Sequence, residues 1–125
     1  MDAETLRRHC LAKPGSSESL PFGPDTLVFK VLDKAFALLA LEAVPPRVNL
    51  KCDPDRALDL RAEWPDTVLP GYHMNKRHWN TVVLDGRVPA STVREWIDHS
   101  WDRVVAGMSA RQRAALSGED PSPTA

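Results

Sequence analysis

The chain predicts an α+β domain: an antiparallel sheet with its helices packed on one face, running helix, three or four strands, helix, two strands, helix. Three observations predict it. Residues 27–31 and 47–52 alternate apolar and polar side chains, the signature of half-buried strands. Asp53-Pro54 pairs a capping carboxylate with a proline suited to the first turn of a helix. From Val93 to Met108 apolar residues recur at three- and four-residue steps, as on a helix lying against a core. Short strands separated by helices of this kind make a sheet with helices to one side.

Taken in order, the first helix starts at Asp2 and buries Leu6, Cys10 and Ala3, and Pro14-Gly15 ends it. A short strand over Ser16–Leu20 leads to the loop Pro21-Phe-Gly-Pro-Asp25. Next, Leu27, Phe29 and Val31 take one face and Val28 and Lys30 the other. Asp33-Lys34 reverses the chain into Ala35–Leu41, apolar on both faces and suited to a central strand. Pro45-Pro46 breaks the sheet before Arg47–Cys52, where Val48, Leu50 and Cys52 face inward and Arg47, Asn49 and Lys51 outward.

The Asp53-Pro54 helix is expected to bury Ala57, Leu58, Leu60 and Trp64. A strand at 67–69 and another at 80–85 flank the polar segment Pro70–Val82. The long helix over Ala90–Ala106 carries Thr92-x-x-Glu95 as a capping box, and Ser109-x-x-Gln112 caps a last short helix ending at Leu116. The chain therefore reads as one domain over 1–116, followed by a disordered tail at 117–125 that has no apolar anchor.

Composition restricts function. The 125 residues contain 42% hydrophobic and 26% charged side chains, an ordinary balance for a soluble domain with a core. A formal charge of −1 lacks the bulk basicity of a dedicated nucleic-acid binder, so polyanion binding requires local clustering. Cys10 and Cys52, both on apolar faces and without Cys-x-x-Cys spacing, read as buried free thiols. The N-terminus lacks the apolar stretch of a signal peptide, and Ala35–Leu41 is too short to span a bilayer, so a cytoplasmic protein is expected, without membrane contact.

Pro70-Gly-Tyr-His-Met-Asn-Lys-Arg-His-Trp-Asn-Thr-Val82 places two histidines, two cations, two amides and two aromatic rings in a run without an acid. Such side chains are buried only when paired, so the segment is either a solvated loop or a site. Its chemistry suits anions: Lys76 and Arg77 as cations, His73 and His78 as donors, Tyr72 and Trp79 as stacking surfaces. Lys30, Arg47, Asn49 and Lys51 form a second polar set on one sheet face. If the loop lies over that face, Lys30, Arg47, Lys51, Lys76 and Arg77 converge, and the acids gather on the helices.

Pro21-Phe-Gly-Pro-Asp-Thr-Leu-Val-Phe-Lys-Val31, Leu50-Lys-Cys-Asp-Pro54 and the Pro70–Val82 segment, in this order, resemble the MmcQ/YjbR family across about residues 1–116. The resemblance implies a compact domain with a fold like that of secretion chaperones. It also implies the DNA-binding, double-wing description attached to the family. One departure is the turn Leu32-Asp33-Lys34, which lacks the glycines common there.

Other chemistries find less support. His73 and His78 would need two further zinc ligands, with Asp25 or Cys52 the only candidates, so neither metal nor cofactor is expected. The chain has no nucleophile elbow and no glycine-rich phosphate loop. Asp25 with His73 or Lys76 would make an acid–base set only if their loops meet; alone it caps a turn. An enzyme is therefore not expected. Trp64, Trp96 and Trp101 read as core, His9 and His99 as boundary residues, and Trp79 as either a loop anchor or a stacking platform.

The expected function is weak, largely sequence-independent binding of DNA or another polyanion by Lys30, Arg47, Lys51, Tyr72, His73, Lys76, Arg77 and Trp79. The alternative is a protein-interaction or chaperone-like module. A monomer or weak homodimer is expected.

Overall fold

The computed structural model describes residues 1–116. The order is α1 (Ala3–Leu11), β1 (Ser16–Ser19), β2 (Thr26–Val31), β3 (Lys34–Ala40), β4 (Arg47–Lys51), α2 (Pro54–Glu63), β5 (Val68–Pro70), β6 (Trp79–Val83), α3 (Ala90–Ala106) and α4 (Ala110–Leu116). The strands form one antiparallel six-stranded sheet in the order β1-β2-β3-β4-β6-β5. The fold is α+β, as the patterning predicts. The tail expected at 117–125 lies outside the described residues.

Strand alternation sorts the sheet into two faces. Leu27, Leu39, Val48, Val82 and Val68 share one row, and Phe29, Ala37, Leu50 and Asn80 the next on that face. Most of these join Leu6, Cys10, Val93, Trp96, Ile97, Val104 and Met108 in the core under α1 and α3. The α2 helix lies on the same side, because the Asn80 amide donates to the Ala57 carbonyl at 3.3 Å and accepts from Arg61 at 2.7 Å. Trp64 meets Trp96 edge-to-face at 6.3 Å. The opposite face carries the row Ser19, Val28, Leu38, Asn49, Thr81 and Leu69.

Helix ends follow the local chemistry with one exception. Asp2 accepts from the Thr5 amide at 2.7 Å and Asp53 from the Arg56 amide at 3.1 Å. Ser109 and Gln112 cap each other as a reciprocal pair. The Thr92–Glu95 box does not form: Pro89 is the N-cap of α3 and makes no side-chain cap bond. The Pro89 carbonyl already accepts from the Thr92 and Val93 amides at 3.0 Å, so Thr92 lies inside the first turn rather than at its entry.

Leu58 is a second correction, since it is 61% exposed. The inward stripe of α2 runs through Ala57, Leu60, Arg61 and Trp64, and Leu58 lies about 100° away from Ala57. Both cysteines are buried free thiols. Burial raises the Cys10 thiol to about 12, so it stays protonated. Among the described residues, no helix is long and apolar enough to cross a membrane.

Candidate nucleic-acid interface

The helix-free face bears the first group of candidate cations. Lys30 pairs with Ala35, and Lys51 with Trp79, so both stand at the same end of the sheet with β3 between them. Two strand spacings put their backbones about 10 Å apart. Arg47 pairs with Ala40 and Val83, four residues from Lys51 and about 13 Å along the strand. Strands β2 to β6 contain no Asp or Glu. The one acid within a strand, Glu18, is turned toward α1, where Arg7 holds it in a bidentate pair at 2.6 and 2.7 Å. That pairing keeps the Glu18 carboxyl below its usual range.

The Pro70–Val82 segment divides into two parts. Its first part folds back on the helix-free face: the Tyr72 amide donates to Thr81 Oγ1 at 2.9 Å, and its carbonyl accepts from Asn49 Nδ2 at 3.2 Å. Thr81 in turn donates to Asn49 Oδ1. Tyr72 is 69% exposed, and its ring lies 4.0 Å from that of His73. His73 takes the left-handed conformation, φ +58°.

The second part turns toward the helices. Asn75 Oδ1 accepts from the Arg77 amide at 2.9 Å, and the Asn75 carbonyl accepts from the amides of His78 and Trp79. This closed turn is local. Among the described residues no hydrogen bond or ion pair joins Asp25 to His73, Lys76 or His78, so the acid–base set considered for them does not assemble. The Asp25 carbonyl accepts from Leu41 instead. Arg61 tethers the turn, reaching Asn80 Oδ1 and the carbonyls of Lys76 and Trp79. Lys76 Nζ is 3.4 Å from the Gly71 carbonyl, and Arg77 is exposed. A β-carbon on Gly71 would stand 2.7 Å from Trp79 Cβ and 2.9 Å from its carbonyl oxygen, so only glycine lets these segments close.

The five cations thus do not form one compact patch. Lys51 meets the turn, since Lys51, Asn75, His78 and Trp79 line a common cleft with Arg103 of α3. Lys30 stands two strands away and Arg47 at the far end. Sequence reasoning missed Arg61 and Arg103, although Arg61 occupies the inward stripe of α2 four residues after Ala57. That position is a detectable signal for an arginine with a buried partner.

Beneath the cleft, the Asp53 amide donates to His99 Nε2 at 3.2 Å, and burial, reinforced by Arg56 and Arg103, lowers the His99 pKa. Among the described residues no group of three His, Cys, Asp or Glu is placed to hold a metal.

A family model described as YjbR matches residues 11–103. Escherichia coli O157:H7 YbdF is 37% identical over 110 residues, covering 88% of this chain and 89% of that protein. YjbR of Escherichia coli K12 is 35% identical over 116 residues, covering 93% and 98%. The crystal structure of a Deinococcus radiodurans protein of domain DUF419 superposes with a TM-score of 0.86 at 38% identity, covering 99% of this chain and 95% of that one. A Pseudomonas syringae crystal structure gives 0.67 at 28% identity, covering 80% and 96%. On the family match and these full-length likenesses, the chain belongs to the YjbR family.

Proposed function

We propose that this protein binds nucleic acid weakly and with little sequence preference, using its helix-free sheet face and the Tyr72–Trp79 segment. One observation carries the reading. Lys30, Arg47 and Lys51 occupy a sheet face on which strands β2 to β6 hold no acid, while Tyr72 is bonded onto that face through Asn49 and Thr81 with the His73 ring beside its own. Cations spaced along a face contact phosphates, and exposed rings stack on unpaired bases. The helices do not gather the acids as expected: their seven carboxylates, Glu4, Asp55, Asp59, Glu63, Glu95, Asp98 and Asp102, are matched by eight arginines, so what sets the sheet face apart is the lack of acids in β2 to β6. In a chain of net charge −1 such an attraction is local and salt-sensitive.

Fluorescence anisotropy with single- and double-stranded oligonucleotides tests it. Affinity should fall steeply between low and moderate salt, and replacing Lys30 or Lys51 by glutamine should flatten the log–log slope by about one unit each. Absent binding at low salt, or binding indifferent to salt, refutes the reading.

A further inference from the structure

We infer that the cleft between the end of β4, the Asn75–Trp79 turn and the last turn of α3 is a nucleotide subsite, taking one phosphate-bearing nucleoside unit. This deepens the nucleic-acid reading and rests on it for the choice of ligand. The cleft measures about 490 Å³ and is lined by Lys51, Asn75, His78, Trp79, Arg103, Ala106 and Gly107. That volume lies within the usual range of small-molecule sites.

Its hydrogen-bonding inventory is one-sided. Among the described residues no acid pairs with Lys51. Asn75 uses its side-chain oxygen on Arg77, which leaves its amide nitrogen as a donor. Among the described residues the Nε of Arg103 is buried without an acceptor, and the guanidinium's one ionic neighbour is Asp53, at a loose 3.9 Å. The Arg103 side chain is 38% exposed while its Nε is enclosed, so the groups it offers a ligand in the cleft are the terminal nitrogens of the guanidinium.

No carboxylate lines the cleft, and the negative end of α3 opposes an anion there. The attraction must therefore come from Lys51 and Arg103, a point charge and a fork suited to phosphate oxygens. Trp79 and His78 add ring surface for a base beside that phosphate. The same chemistry belongs to a free nucleotide and to one unit of a single strand.

Isothermal titration calorimetry on the full chain separates the cases, with deoxyadenosine monophosphate, deoxyadenosine, inorganic phosphate and an oligodeoxyadenylate as probes. The monophosphate should bind about tenfold or more tightly than either deoxyadenosine or phosphate. Lys51→Gln and Arg103→Gln should each lose about tenfold, Lys51→Arg should retain binding, and Arg8→Gln on α1 should leave it unchanged. Thermal melts verify that each variant is folded. Displacement of the monophosphate by the oligonucleotide identifies a strand unit, and failure to displace it identifies a free nucleotide; both agree with the subsite. Equal binding of monophosphate and phosphate, or no monophosphate binding, overturns it. Oligonucleotide binding that persists unchanged in Arg103→Gln, while Lys30→Gln still flattens its salt dependence, overturns the subsite and leaves the sheet-face reading intact. Monophosphate binding without any oligonucleotide binding overturns the sheet-face reading and leaves the subsite.

Discussion

Ser100 shows how much a single hydroxyl can decide. It is wholly buried on α3, accepting from the Lys51 amide at 2.8 Å and donating to the Phe36 carbonyl at 2.5 Å. Phe36 on β3 and Lys51 on β4 lie one residue beyond the last β3–β4 pair, Ala37 with Leu50, so Ser100 bridges the two strands where their direct pairing stops. Ser100→Ala should cost about 1–3 kcal/mol, because it strands a buried N–H and a buried C=O. Urea denaturation measures this, and a loss below about 0.5 kcal/mol would refute the bridging role. His99 makes a second prediction. Its folded pKa lies below 6.5, so on acidification the unfolded chain takes the proton first. Its contribution is complete above about pH 6.5 and declines as pH falls toward the folded value. His99→Gln should flatten the pH dependence of stability just below about pH 6.5, and an unchanged slope would count against the bond to Asp53. Neither role is legible in the sequence. Ser100 reads as a small polar gap in an apolar stripe, and His99 as a boundary histidine, since their partners lie 46 to 64 residues away.

At the scale of elements, the turn over Asn75–Trp79 is closed by its own bonds but placed by α2. Arg61 supplies that placement through Asn80 and two carbonyls. Arg61→Ala should destabilise the protein by about 1–3 kcal/mol, leaving the buried Asn80 amide short of a donor. Hydrogen exchange should accelerate at the His78 and Trp79 amides, and exchange unchanged there would show that the turn needs no tether. Most elements are legible because periodicity is local: alternation locates β2 and β4, and the three–four spacing locates α3. Leu58 is misplaced by the pattern because adjacent apolar residues on a helix diverge by about 100°, and only the packing of α2 on Asn80 selects between them.

At the scale of the molecule, one face of the sheet is covered by helices of mixed charge and the other carries Lys30, Arg47 and Lys51. Small apolar spots stand out at one end, where Phe22 is 75% and Val44 96% exposed and the Leu41 amide ties the two loops at the Asp25 carbonyl, 2.9 Å away. Isolated apolar side chains of this kind are common on monomers. A monomer or weak homodimer is the expected state in light scattering at micromolar concentration. A tight dimer would favour the protein-interaction alternative over nucleic-acid binding.

Strand and helix identities, their inward faces and the caps at Asp2, Asp53 and Ser109 follow from residues within one or two turns of each other, so the chain's local chemistry carried them. The placement of β6 beside β4 with β5 at the edge, the serine that bridges β3 and β4, the arginine that holds the turn and the meeting of Lys51 with Arg103 join residues tens of positions apart. No periodicity encodes such pairs. They are selected together when the strands register and every buried donor must find an acceptor, a condition that exists only in the assembled core.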